Sequence, residues 1–195
     1  MPHEGLLVVV SAPSGAGKTT LCRRLLRQRK NLVFSISVTT RAPRPGEKDG
    51  REYYFLSDAA FRAMRARQDL VEWANVHGHY YGTPKSFLDR MRAQGKDVLL
   101  DIDVHGALQV KRRYPDALLL FIRTPRFSDL ARRLRHRSSE SEADIRRRLR
   151  DARKELRYAR RYDAVVVNNA VPRAMKTLNA ILDNESLKKT RRNKS

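Results

Sequence analysis

The stretch Leu6-Leu7-Val8-Val9-Val10-Ser11-Ala12-Pro13-Ser14-Gly15-Ala16-Gly17-Lys18-Thr19-Thr20 decides the fold. Its first five residues are an unbroken apolar run with three valines, which reads as a strand buried on both faces, as inside a parallel sheet. Residues 12–19 follow the spacing G-x-x-x-x-G-K-[ST], with alanine in place of the first glycine. Gly15 and Gly17 stand where the backbone must turn its N–H groups toward an anion, and glycine admits the positive φ that such a cradle needs. From Thr19 to about residue 29, Leu21, Cys22, Leu25 and Leu26 share one face of a helix. Strand, glycine turn and helix arrive in the order that places phosphates on a helix N-terminus. Lys18 then supplies a point charge to the β- and γ-phosphates, and Thr19 offers a hydroxyl to Mg2+. Ala12, Pro13, Ser14, Gly15, Ala16, Gly17, Lys18, Thr19 and Thr20 form the candidate site for ATP or GTP; the loop does not name the acceptor.

Outward from this stretch, apolar segments recur at residues 97–102, 117–122 and 164–167, separated by helical patterns at about 106–114, 128–135, 144–159 and 172–182. Strands alternating with helices predict an α/β fold: a parallel sheet core of the P-loop NTPase type, flanked by helices. Residues 31–86 break the rhythm. They read as a strand at 31–37, a Pro- and Gly-rich loop at 39–50, and a short aromatic strand at 51–56. A helix capped by Ser57-Asp58 follows, carrying Phe61 and Met64 inward, then strand pieces at 70–76 and 78–82. A short helix over 83–95 ends at Gly95. The expected organisation is one domain: a core of residues 1–36, 87–126 and 153–187, an inserted lobe of 37–86, a helical lid of 127–152, and a frayed basic tail of 188–195.

Composition narrows the partners. Lys and Arg number 42 against 21 Asp and Glu, a formal net charge of +21, so the surface attracts polyanions: nucleotides, nucleic acid or acidic lipid. No apolar run reaches the roughly 18 residues that span a bilayer. The first residues lack a basic n-region and residues 6–10 are too short for a signal-peptide core, so a cytoplasmic protein is expected. The single cysteine, Cys22, excludes an internal disulfide and reads as a core residue. No zinc finger, RNP motif or aromatic platform points to specific nucleic-acid binding. His77, His79 and His105 lack ligand spacing and read as structural or surface residues.

The acceptor is written in the lobe. Arg41 and Arg44, three apart in a stretch stiffened by Pro43 and Pro45, make a clamp for a phosphate dianion. The hydroxyls of Tyr53 and Tyr81 can complete such a site. Glu72 can accept hydrogen bonds from N1–H and the 2-amino group of guanine, donors that adenine lacks at that edge. The alternatives are half-buried lobe tyrosines, strand-end caps for Asp101 and Asp103, and a solvated helix face for most arginines of 132–161.

On these residues the chain strongly resembles the guanylate kinase family. The matching segments are 13–20, 37–46, 53–55, 72–83, 100–106, 132–137, 147–149 and 166–168, in the family's order and spacing, within residues 5–182. The resemblance implies transfer of the ATP γ-phosphate to GMP in guanine nucleotide metabolism and salvage, with Mg2+ as MgATP, by a monomer or homo-oligomer; it leaves open whether dGMP also serves as acceptor. It implies that Arg41, Arg44, Tyr53 and Tyr81 hold the GMP phosphate, and that Ser37, Glu72, Thr83 and Asp103 hold guanine. Asp101 would support Mg2+ and Lys18; Arg133, Arg137 and Arg148 would close over the transferring group; Asn168 would lie near the adenine of ATP. Four places depart from the family pattern: Ala12, His105 where glutamine is common, His136 and Ser138 around Arg137 where glycines are usual, and Asn169-Ala170 in place of an acidic pair. A scaffold domain that binds phosphopeptides, a kinase for a sugar phosphate and a nucleic-acid binder are the competing readings. The intact Gly15, Gly17, Lys18 and Thr19 oppose the first, the guanine-facing set the second, and the missing motifs the third.

Overall fold

The computed structural model describes residues 4–76, 78–135 and 141–192. Along the chain run β1 (Leu7–Ser11), α1 (Lys18–Gln28), β2 (Leu32–Phe34), β3 (Val38–Thr39), β4 (Tyr54–Phe55), α2 (Asp58–Ala66), β5 (Leu70–Val76) and β6 (His79–Pro84). They are followed by α3 (Lys85–Ala93), β7 (Asp97–Asp101), α4 (Val104–Arg113), β8 (Leu118–Arg123), α5 (Phe127–Arg135), α6 (Glu142–Arg157), a 3-10 turn (Tyr158–Arg161), β9 (Ala164–Val167) and α7 (Val171–Arg192). The apolar run Leu7–Ser11 is the centre of a five-stranded sheet in the order β2-β7-β1-β8-β9, with every pairing parallel.

Alternation along β1 serves two layers. Val8 and Val10 pack with Leu21 and Leu25 of α1, Leu130 of α5 and Leu178 of α7. Leu7 and Val9 pack on the other face with Leu88 of α3 and Ala107 and Val110 of α4. Each such side chain, fully buried, contributes about 1.5–3 kcal/mol of transfer free energy. Cys22 belongs to the first layer, and burial pushes its thiol up to about 12.

The interrupting segment builds a second sheet in the order β4-β3-β6-β5. The hairpin of β5 and β6 and the β3·β6 pair are antiparallel, while β3 and β4 are parallel. Its small core is Val38, Phe61 and Leu70, with Phe61 stacked on Tyr80 at 5.2 Å between ring centres. Ser57 caps α2 as expected, accepting from the Ala60 N–H at 3.2 Å.

Several boundaries differ from the sequence reading. The strand expected over 31–37 ends at Phe34, because only Leu32–Phe34 have β7 to pair with. Val38–Thr39, the last strand-forming residues before the proline-rich loop, join the second sheet instead. The helix expected from residue 83 starts at Lys85, since Thr83 and Pro84 finish β6. The tail expected to fray from residue 188 is helical to Arg192. Lys189 explains part of that order: its ammonium donates to the Gly5 carbonyl at 3.1 Å and sits 3.4 Å from Asp116. Arg92, 1% exposed, meets the same two partners, so α3, α7 and the start of β1 share one knot. His77 lies outside the described residues. No helix among them is long and apolar enough to cross a membrane.

Candidate active site

The phosphate loop follows β1 at the C-terminal edge of the parallel sheet, where α/β folds place their ligands. Gly15 and Gly17 have φ of 89° and 92°, the left-handed values for which the sequence kept glycine. The turn is closed by the Ala16 N–H donating to the Pro13 carbonyl at 3.0 Å, and α1 begins at Lys18. The Lys18 ammonium is ion-paired to the Asp101 carboxylate at the end of β7. Ala12 to Gly15 and Gly17 to Thr20 line a cleft of about 330 Å³, with Asp103 and Glu155 on its far wall. Ala16 is fully buried beneath.

A neighbouring cleft of about 390 Å³ gathers Ser37, Arg41, Arg44, Tyr53, Glu72, Tyr81, Asp101 and Asp103. The second sheet brings them together from distant stretches of chain. Arg41 Nε donates to the Tyr81 hydroxyl at 3.2 Å, and its guanidinium lies 5.5 Å from the Tyr53 ring centre. Tyr53 meets Tyr81 edge-on at 5.7 Å, and burial raises the Tyr53 hydroxyl above its usual range. Thr83 stands behind the cleft and donates to Glu72 Oε1 at 2.6 Å. Glu72 is 5% exposed; burial pushes its carboxyl up to about 7, against the Thr83 bond, and the Asp103 charge adds to the rise. Asp103 caps α4 by accepting from the Gly106 N–H at 2.8 Å, so the strand-end cap and the cleft position belong to one residue.

Arginines frame the opening. Arg148 of α6 donates to the Ser14 hydroxyl, and Arg44, Arg147 and Arg148 line a third cleft of about 650 Å³ with Ser14 and Glu155. Ser14 and Asp103 are shared walls, so the three clefts form one groove. Arg133 of α5 donates to the Asn168 carbonyl at 3.1 Å. Asn168, 3% exposed, turns its amide onto the Ala16 carbonyl at 2.8 Å. Arg137, with His136 and Ser138, lies outside the described residues. His105 packs edge-on against Tyr158 at 5.3 Å, in keeping with a structural histidine.

Four residues without a role in the sequence reading belong to the site. Glu47 binds the Arg41 guanidinium through both carboxylate oxygens, at 3.0 and 2.9 Å, and accepts from the Arg44 N–H at 2.8 Å. That N–H first, and Arg41 against a desolvation, hold its carboxyl below the usual range. Its place six residues after Arg41 in a turn with Gly46 was the available signal. Glu155 faces the phosphate cleft, and burial pushes its carboxyl up to about 7 against the pull of Lys18, with Asp103 and Asp151 adding to the rise. Gln109 brackets Trp73, accepting from its N–H at 3.3 Å and donating to its carbonyl at 3.0 Å, which fixes β5 beside Glu72. Gly106 leaves room for that carboxylate: a Cβ there would sit 2.6 Å from Glu72 Oε2. Nothing in sequence spacing reveals the last two, which act across the sheet–helix interface.

For a metal, the groove offers the Thr19 hydroxyl and the Asp101 carboxylate. One hydroxyl and one carboxylate suit a hard cation that keeps waters and takes phosphate oxygens. Among the described residues no three His, Cys, Asp or Glu side chains cluster as a dedicated protein cage.

Guanylate kinase from Dechloromonas aromatica (strain RCB) is 49% identical over 178 residues, covering 91% of this chain and 88% of its own. Guanylate kinase from Desulfitobacterium hafniense (strain Y51) is 47% identical over 180 residues, covering 92% and 90%. The crystal structure of guanylate kinase from Anaplasma phagocytophilum superposes with a TM-score of 0.76 at 32% identity, over 94% of this chain and 87% of that one. With the family model described as guanylate kinase matching residues 4–185, across both sheets and all the clefts, the chain belongs to the guanylate kinase family.

Proposed function

We propose that the chain transfers the γ-phosphoryl group of ATP to GMP, reversibly, giving ADP and GDP. The observation that carries this reading is the pair of clefts joined at Asp103: one built on a phosphate loop, the other ending in the buried Glu72 carboxylate. The Glu72 carboxylate accepts from guanine N1–H and the 2-amino group, with Ser37, Thr83 and Asp103 around the ring. Arg41, Arg44, Tyr53 and Tyr81 take the GMP phosphate, which displaces Glu47 from Arg41.

A GMP phosphate oxygen is already anionic at neutral pH, so the chemistry needs positioning and charge neutralisation more than a general base. Residues Ala12 to Thr20 cradle the ATP phosphates, and Lys18 leaves Asp101 for them. Thr19 and Asp101 would hold Mg2+, which would supply charge neutralisation for the ATP phosphates. Arg133, Arg137 and Arg148 reach the transferring group when the lid, residues 127–152, and the lobe, residues 37–86, close on the core of residues 1–36, 87–126 and 153–187. Closure excludes water as a competing acceptor. The lone buried thiol suits the reducing cytoplasm, where we place the reaction in guanine nucleotide metabolism and salvage.

The test is ADP release from MgATP with GMP, AMP, CMP or UMP. Release with GMP alone is expected. Folded protein that releases none with any of the four refutes the reading. Lys18→Ala is expected to lower turnover by about 10²–10³-fold or more.

A further inference from the structure

The resemblance sets Asn168 near adenine, and the residue lines a cleft of about 450 Å³ beside the phosphate loop with Gly15, Gly17, Thr20 and Arg133. Its side-chain amide, however, is committed to the loop itself. Nδ2 donates to the Ala16 carbonyl at 2.8 Å, joining positions 152 residues apart. Because the partner is a carbonyl, the amide nitrogen and not the oxygen must face it. The fit is tight enough that a Cβ on Gly17 would run into that same nitrogen. The backbone of Asn168 is tied on both sides: its N–H donates to the Arg123 carbonyl at the end of β8 at 2.7 Å, and its carbonyl receives Arg133.

A trans peptide is planar, with its C=O and the following N–H pointing opposite ways. Pinning the Ala16 carbonyl onto Asn168 therefore turns the Gly17 N–H away from Asn168, and Gly17 lines the phosphate cleft. We infer that Asn168 is a positioning residue for the triphosphate: its amide locks the Ala16–Gly17 peptide in the donating orientation, while its backbone holds Arg133 beside the loop. It acts on the phosphates through the loop, without needing the adenine base. This rests on the kinase reading above.

Magnesium tripolyphosphate is the probe, since it carries the phosphates of ATP without the nucleoside. Dissociation constants for it, for ATP and for GMP are measured by calorimetry, at a temperature where circular dichroism reports each variant folded. Asn168→Ala is expected to weaken tripolyphosphate and ATP by the same factor, about tenfold to a hundredfold, the scale of a buried carbonyl stripped of its donor. GMP affinity, read in the other cleft, stays unchanged. A loss confined to ATP makes Asn168 an adenine contact and overturns the inference. Unchanged affinity for both, with only a lower melting temperature, makes the amide purely structural and overturns it too. Asn168→Ser, which keeps a small polar side chain too short to reach Ala16, carries the same comparison if the alanine variant does not fold. Wild-type ADP release with GMP is recorded alongside. Its absence, with tripolyphosphate still bound, refutes the assigned reaction and leaves the Asn168 comparison readable.

Discussion

In the proposed reading, folding and guanine make opposite demands on Glu72. Burial pushes its carboxyl from 4.5 to about 7. A native state that holds a proton more tightly than the unfolded chain loses stability as pH rises between those two values, and above about 7 the whole penalty is present. Guanine needs the ionised form, because only then are both oxygens free to accept from N1–H and the amino group. Guanosine affinity is therefore expected to weaken by about tenfold for each pH unit below about 7. Guanosine is the probe because a nucleotide's phosphate titrates near pH 6 itself. Glu72→Gln keeps an acceptor for Thr83 and removes the charge. It should bind guanosine weakly at every pH, yet melt higher than the parent at pH 8, by at most about 3 kcal/mol of stability, with the gap narrowing through pH 5 and closing at about pH 4. Glu155 titrates in the same window, so the difference between parent and variant is the quantity to follow. A parent whose guanosine affinity is flat from pH 6 to 8 rules out this role for the Glu72 charge.

Elements were legible where sequence distance is short. The strand, loop and helix of residues 6–29 follow from periodicity and two glycines, and α2 from its serine cap. The lobe residues were legible as chemistry, because arginines, tyrosines and a glutamate in one segment suit few ligands other than a nucleotide. What stayed hidden crosses the fold. Gln109 brackets Trp73 from α4, and Glu47 neutralises Arg41. The reach of α7 to Arg192 depends on Lys189 finding Gly5 and Asp116, which no local pattern announces. Arg92 is the plainest case: an arginine in a basic helix reads as surface, but its Nε donates to the Gly5 carbonyl at 3.1 Å and its Nη2 to Asp116 at 2.5 Å. Arg92→Met keeps much of the apolar stem and leaves that carbonyl without its buried donor. It is expected to cost about 2 kcal/mol, or roughly 4–8 °C in melting temperature, with nucleotide affinities unchanged. A variant that melts with the parent shows that Lys189 alone secures the knot.

At the scale of the whole molecule, charge is distributed with a direction. On α6, Leu149, Ala152 and Leu156 pack on the core and Ile145 is buried, while Asp144, Arg147, Arg148, Asp151 and Glu155 line the groove. The remaining face carries Arg146, Arg150, Arg153 and Arg157, all exposed, at the three- and four-residue spacing that stacks side chains along one stripe. Like charges at that spacing cost a helix about 0.2–0.5 kcal/mol per pair, so the stripe does not serve helix stability. Beside a groove whose substrates are both polyanions, it adds to the field of a chain at +21 that raises nucleotide concentration at the opening. Such a field acts on encounter and leaves the closed complex alone. Raising potassium chloride from about 50 to 200 mM shortens the screening length from roughly 14 to 7 Å. Over that range kcat/KM for GMP is expected to fall about threefold or more while kcat holds. Reversing Arg146, Arg150 and Arg157 together to glutamate should flatten that salt dependence without changing kcat, since none of the three lines the groove. If the triple variant keeps the parent's salt slope, the steering field comes from elsewhere on the surface; if its kcat falls, the stripe assists closure of the lid that carries Arg146 and Arg150 as well as acting on encounter.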